Sequence, residues 1–73
     1  MWFRKRTYMA WSLSSGNAIG VDIRSEQEGV AWLEELLETE PEALDHVGVI
    51  EFDRKGHALR VIVMNREGLL THS

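Results

Sequence analysis

The chain contains no cysteine, and this absence excludes several kinds of site at once. Disulfide bonds, thiolate nucleophiles, iron–sulfur clusters and cysteine-ligated zinc all require that residue. A domain of 73 residues must then be stabilised in another way, because a chain of this length buries only about 60% of its unfolded surface. Small domains without disulfides often gain stability from a metal ion or from a partner chain.

Long apolar runs are also absent. No stretch approaches the roughly 20 residues that a membrane-spanning helix needs. The segment that follows Arg4, Lys5 and Arg6 is short and partly polar, unlike a signal peptide. Hydrophobic residues nevertheless make up 44% of the chain and include three tryptophans, which favours a packed domain over disorder. We therefore expect one cytoplasmic domain over residues 1–73, without membrane contact.

Positive charge is missing from the middle of the chain. Between Ser25 and Asp53 there are ten carboxylates and no lysine or arginine, so the net charge of -4 understates how acidic this part is. The ten are Glu26, Glu28, Glu34, Glu35, Glu38, Glu40, Glu42, Asp45, Glu51 and Asp53. Such a field repels polyanions and speeds the association of cationic partners. The expected partner is a basic protein, for example a toxin or a nucleic-acid-binding enzyme, and not nucleic acid itself.

Alternation of apolar residues predicts a first hairpin. Residues 7–13 alternate as a strand, residues 14–17 supply four turn formers in a row, and residues 18–24 resume the alternation. The side chains expected to point inward from the second strand are Ile19, Val21 and Ile23.

A helix is predicted to follow this hairpin. Ser25 is suited to the N-cap position, and Glu28 completes a capping-box pattern. Gly29 lies within the apolar arc of the helix, where it permits close approach to the sheet. Pro41 either ends the helix or begins a second helical turn. The apolar arc is formed by Val30, Trp32, Leu33, Leu36 and Leu37.

Two further strands and a possible fifth are predicted after the helix. Residues 47–52 and 58–64 read as strands joined by a turn in which Gly56 is left-handed, and residues 69–71 read as a short edge strand. The expected fold is α+β, with a β-β-α-β-β antiparallel sheet of four or five strands and one helix packed across one face.

Both faces of the later strands are apolar, yet one helix covers only one of them. The remaining face is expected to meet a second copy, another protein, or the N-terminal residues Trp2 and Phe3. A homodimer is the preferred answer, because small domains often gain burial in this way.

Catalytic and metal-binding motifs are not found. The three histidines, His46, His57 and His72, lack the spacing of a metal site, and the glycines form no phosphate-binding loop. The carboxylates are spaced for solvation, and none is expected to be a buried acid. We therefore expect a non-catalytic protein without a metal or cofactor.

One face of the helix is the candidate binding site. Its predicted contact residues are Glu28, Trp32, Glu34, Glu35 and Glu38. Glu34 and Glu38 repel each other at a spacing of four residues, where a stabilised helix would carry opposite charges. Trp32 at the border is an anchor for a partner or part of the core. The alternative explanation is an acidic face that serves only solubility.

The pattern resembles small actinobacterial immunity proteins of polymorphic toxin systems. The resemblance covers residues 18–64 and is carried by the strand ending in Gly20–Ser25, the helix over residues 26–37 and the hairpin that closes on Arg60–Val63. It implies a non-catalytic protein that blocks a toxin with a cationic cleft. The leading hypothesis is thus an acidic inhibitor of a basic partner, and the alternative is an accessory homodimer with a solvated acidic helix.

Overall fold

The computed structural model describes residues 6–72. The elements within this range are β1 (Thr7–Ser12), β2 (Asn17–Ala18), α1 (Glu26–Thr39), a 3₁₀ helix (Pro41–Asp45), β3 (Val47–Phe52), β4 (Ala58–Met64) and β5 (Leu70–His72). The strands form an antiparallel sheet in the order β2-β1-β3-β4-β5, and α1 packs across one face. The predicted α+β fold is confirmed.

The third and fourth strands have the predicted bounds. Gly56 in the turn between them has a φ of +89°, a conformation that L side chains rarely adopt. Asp53 holds the same turn, because its Oδ1 accepts from the backbone N–H groups of Lys55 at 2.8 Å and His57 at 2.9 Å. The short fifth strand is also present, displaced by one residue from the prediction.

The predicted second strand over residues 18–24 is wrong in its extent. Only Asn17–Ala18 forms strand pairs with β1, and the backbone N–H of Ile19 adds one further hydrogen bond, to the carbonyl oxygen of Ala10 at 2.8 Å. The backbone N–H of Val21 then donates to the carbonyl oxygen of Ile19 at 2.7 Å, a tight turn that leaves the sheet edge. Ile23 is still buried, and Ile19 and Val21 pack against the core. The alternation of apolar residues over residues 18–24 therefore predicted correctly which side chains face the core. It is not sufficient to predict strand pairing, because a side chain can be buried without belonging to a strand.

The start of α1 is capped as predicted, with one difference. Ser25 Oγ accepts from the N–H of Glu28 at 3.1 Å. The Glu28 side chain accepts from the N–H of Arg24 at 2.9 Å, one residue before the N–H that a capping box uses. At the other end, Pro41 begins the 3₁₀ helix, which is the second of the two predicted outcomes.

The core lies between α1 and the sheet. A Cβ added to Gly29 would lie 3.1 Å from Val49 Cγ1, so glycine allows the helix to approach β3 closely. Leu33, Val49 and Ile62 are the largest fully buried side chains. The other buried hydrophobic residues are Ala10, Ile23, Leu44, Val47 and Met64.

The sheet face opposite α1 is apolar and is not covered by the helix. We call it the open sheet face; its apolar side chains are Met9, Trp11, Leu13, Ile50, Phe52, Leu59, Val61 and Val63. The rings of Trp11 and Phe52 are tilted against each other, with centroids 6.5 Å apart. Gly48 faces Trp11 across the strand pair, and a Cβ there would lie 3.0 Å from Val63 Cγ1 and 3.1 Å from the Ile62 carbonyl oxygen.

Three ways of covering the open sheet face were predicted: a second copy, another protein, or the N-terminal residues Trp2 and Phe3. Trp2 and Phe3 lie outside the described residues, as do Arg4 and Lys5. A second copy and a different protein remain predictions.

Replacing Ser25 tests whether its side chain stabilises the start of α1. Ser25→Ala removes the oxygen that accepts from Glu28 N–H, and we expect the free energy of unfolding to fall by about 1 kcal/mol. Urea unfolding followed by circular dichroism measures this change. Ser25→Asp is the matched control, because its carboxylate can accept the same hydrogen bond; equal losses in both variants would contradict the capping role.

Candidate functional site

Four of the five predicted contact residues lie on the solvent side of α1. Glu28, Glu34, Glu35 and Glu38 are all exposed. Trp32 is half-buried and packs against the core. At about 100° per residue, Trp32 lies next to Glu28 and Glu35 around the helix, so it borders the acidic face as predicted. We call these five residues the acidic helix face.

Several carboxylates of the acidic run are paired with cations from distant parts of the chain. Arg60 binds Glu26, Arg66 Nη2 lies 2.5 Å from an oxygen of Asp45, and Arg6 and Arg60 both bind Glu51. The cations come from outside the run, so the one-sided charge of the sequence is partly compensated in space.

The carboxylates of the acidic helix face are not compensated in this way. Within residues 6–72, Glu34, Glu35 and Glu38 form no ion pair. The last turn of α1 also lacks a basic residue, although cations are favoured at the negative end of the helix dipole. Glu38 lies in that turn. The helix therefore keeps an unfavourable distribution of charge on its exposed side.

Glu28 differs from the other three. Its side chain accepts from the N–H of Arg24, and it lies in the first turn, where the helix dipole favours a negative charge. A local structural role is sufficient to explain Glu28. The carboxylates without such a role are Glu34, Glu35 and Glu38.

The expectation that no acid is buried is wrong. Glu51 lies in the middle of the sheet on the face that α1 covers, and it is only 2% exposed. Its Oε2 accepts from Arg6 Nη1 at 2.7 Å and from the Tyr8 hydroxyl at 3.2 Å. Its Oε1 accepts from Arg60 Nε. The alternation of Val47 and Val49 along β3 places residue 51 on the same inward face, so the signal was present in the sequence.

Arg60 links this buried acid to two further elements. Its guanidinium also donates to Glu26 at the start of α1 and to Nδ1 of His72 in β5, the latter at 2.6 Å. We call Arg6, Tyr8, Glu26, Glu51, Arg60 and His72 the Glu51 cluster. The cluster joins β1, β3, β4, β5 and the helix at one end of the core.

Burial and hydrogen bonding act on the pKa of Glu51 in opposite directions. Burial raises the pKa, but the hydrogen bonds from Arg60 and Arg6 outweigh it, so the pKa lies below its ordinary value. Burial and the Glu51 carboxylate raise the pKa of Tyr8. A carboxylate with a lowered pKa and with both oxygens engaged is a poor proton acceptor. The cluster is therefore suited to stabilising the fold and not to acid–base chemistry.

Metal ligands do not converge in the described residues. Between Arg6 and His72, no group of three histidine, aspartate or glutamate side chains is placed to hold a metal ion.

In the same part of the chain, no helix combines the length and apolar character needed to cross a membrane.

Comparison of the chain with family models, with curated proteins and with solved structures finds no match.

Removing the charge of Glu51 tests its structural role. Glu51→Gln keeps the shape of the side chain but replaces charge-assisted hydrogen bonds to two arginines with neutral ones, and we expect a loss of about 2 kcal/mol in unfolding free energy. Glu34→Gln is the matched control on an exposed residue, and its effect should stay within about 0.5 kcal/mol. Equal stabilities of the two variants in urea unfolding would contradict the role of Glu51.

The lowered pKa of Glu51 also predicts an acid-sensitive stability. A group whose pKa is lower in the folded state contributes stability above its unfolded pKa and loses it as the pH falls through the folded pKa. The unfolding free energy should hold between about pH 7 and pH 5 and then decrease below the ordinary glutamate value of 4.5. In Glu51→Gln this decrease should be smaller, with Asp45 and Asp53 as remaining contributors because their pKa values are also lowered. Urea titrations at several pH values measure both curves, and parallel curves would contradict the assignment.

Proposed function

We propose that this chain is a non-catalytic protein-binding protein that inhibits or neutralises a basic partner. The acidic helix face is the proposed contact surface. The observation that carries this proposal is that Glu34, Glu35 and Glu38 are exposed and form no ion pair within residues 6–72, whereas Glu26, Asp45 and Glu51 are paired with arginines.

The charge distribution has a cost in the free chain that a basic partner would remove. Like charges four residues apart destabilise a helix by a few tenths of a kcal/mol, and Glu38 lies near the unfavourable end of the dipole. Lysine or arginine side chains of a partner would relieve both effects. A dense negative surface also raises the rate of association with a positive one.

Trp32 supplies the apolar part of the proposed contact. It is half-buried, so its inner part belongs to the core and its outer part lies beside the carboxylates. Tryptophan residues surrounded by polar groups are common anchors in protein interfaces. A partner with a basic rim around an apolar pocket fits this arrangement.

The class of partner follows from the same chemistry. A basic toxin or a nucleic-acid-binding enzyme has a cationic surface that an acidic face can cover, whereas the phosphates of nucleic acid would be repelled. An immunity protein or a phage-type inhibitor is one form of this function. We place the encounter in the cytoplasm, with which the lack of cysteine is compatible.

A second candidate function is favoured by a different observation. The open sheet face supports an accessory homodimer, in which the carboxylates of α1 serve only solubility. This alternative requires no cationic partner.

Charge reversal distinguishes the two candidates. The immobilised chain is used to capture proteins from a bacterial lysate at about 50 mM and about 500 mM salt, because screening weakens electrostatic capture. A basic protein retained only at the lower salt is then purified. For Glu34→Lys/Glu35→Lys/Glu38→Lys we expect an intact fold and an association rate with that protein at least about tenfold slower.

The matched control reverses three exposed carboxylates outside the acidic helix face, of which Asp22 is paired with Arg24. Asp22→Lys/Glu42→Lys/Glu67→Lys changes the net charge by the same amount, and we expect it to slow association much less. Equal rates for the two variants would show that net charge, not the helix face, governs binding. Recovery of only the bait's own copies at both salts would contradict the proposed function and favour the homodimer.

A further inference from the structure

The open sheet face is free of charge, although 27% of the chain consists of charged residues. The side chains that β1, β3, β4 and β5 direct to this face are all uncharged in the part of the chain that the structure describes. A cross-strand row of Met9, Ile50 and Val61 runs through its middle. Met9 is 36% exposed, and the other two are partly exposed. Contiguous apolar surface of this kind marks a site of association.

We infer that this face binds the same face of a second copy of the chain. In a two-fold dimer the same surface of each copy forms the interface, so a face that is uncharged and mostly apolar is complementary to itself. Two antiparallel sheets pack about 10 Å apart with interdigitating side chains. The dimer is a sandwich of two sheets with the helices on its outer sides.

The distribution of charge favours a second copy on this face. Helices on the outer sides of two stacked sheets lie about 30 Å apart, which is more than three Debye lengths at physiological salt. Two chains of net charge -4 can therefore associate without bringing their acidic helix faces together. A basic protein attracted by those carboxylates would bind on the opposite side, so the inference does not depend on the proposed function.

The two ends of the open sheet face carry opposite charges. In the turn between β3 and β4, the exposed Arg54 and Lys55 outnumber the neighbouring Asp53. At the other end, beside the start of β3 and after β4, the exposed Glu42, Asp45 and Glu67 outnumber Arg66, which is paired with Asp45. A two-fold axis that lies across the strands sets each end against the opposite end of the second copy. The basic turn of one copy then meets the acidic end of the other.

The size of the face predicts a reversible dimer. Strands of six or seven residues, spaced about 4.8 Å apart, give a face of roughly 20 Å by 20 Å. With the relief of the side chains, two such faces bury on the order of 900 Å², close to the roughly 1,000 Å² that specific interfaces exceed. Interfaces below that size belong to weak or transient complexes, so we expect a dimer that dissociates on dilution.

Sedimentation equilibrium of the full chain tests this inference. Between about 1 μM and about 200 μM, the average mass should rise from that of one chain, 8.4 kDa, towards twice that value, and the melting temperature should rise with it. Met9→Lys places an ammonium group in the middle row and should weaken dimerisation at least about tenfold. Leu13→Lys, at a residue 43% exposed on the same face, should act in the same direction.

Leu70→Lys is the matched control. Leu70 is 37% exposed and pairs with the buried Met64, so it lies on the helix side of the sheet. The substitution adds the same charge as Met9→Lys, but on the opposite face. Its dissociation constant should stay within about twofold of that of the unchanged chain. A single-chain mass at every concentration would overturn the inference. The face would then be covered by residues 1–5 or by another protein. A dimer that is weakened by Leu70→Lys but not by Met9→Lys would overturn the assigned face. Neither result bears on capture of a basic protein by α1.

Discussion

A single helix can cover only one side of a sheet, and most features of this molecule follow from that constraint. α1 approaches β3 closely because Gly29 has no side chain, and the buried residues collect between the two elements. The acidic side of the helix is then turned to solvent. Within residues 6–72, no helix covers the apolar residues on the other side of the sheet. Two very different surfaces therefore lie on opposite sides of the described part of the domain.

The packing of one helix on one side of the sheet also determines where the ion pairs of Glu51 lie. Glu51 lies in β3 with its carboxylate pointing inward. Its partner Arg6 directly precedes β1, and its partner Arg60 lies in β4. Arg60 continues to Glu26 at the start of the helix. Replacing one partner of such a pair leaves the other charge in a partly buried position, which is costly. The cluster thus ties the start of the helix to the sheet through hydrogen bonds of specific geometry.

Much of the fold could be predicted from local patterns. β3 and β4 are mostly apolar segments on either side of a turn that contains Gly56. Ser25 has the right acceptor for a helix start, so the neighbouring residues carried enough information for these elements. The segment over residues 19–24 could not be predicted in the same way. Its alternation reflects packing against the core, and the tight turn at Val21 that removes it from the sheet has no strong sequence signature.

The pairing of the carboxylates was harder to predict, because it depends on contacts between distant residues. Glu51 and Arg6 are 45 positions apart in the sequence, and no local pattern indicates that the two side chains pair. The inward phase of Val47 and Val49 indicates that Glu51 is buried, but it does not indicate which cations meet the carboxylate. The position of Trp32 beside the carboxylates followed directly from helical periodicity.

Gly48 shows how the sheet limits the divergence of the sequence. A methyl group at this position would press on the backbone of β4 and on Val63, neither of which can withdraw without disturbing the centre of the sheet. At Gly20, by contrast, an added methyl group would meet nothing within 4 Å. In any set of descendants of this chain, position 48 should therefore vary much less than position 20.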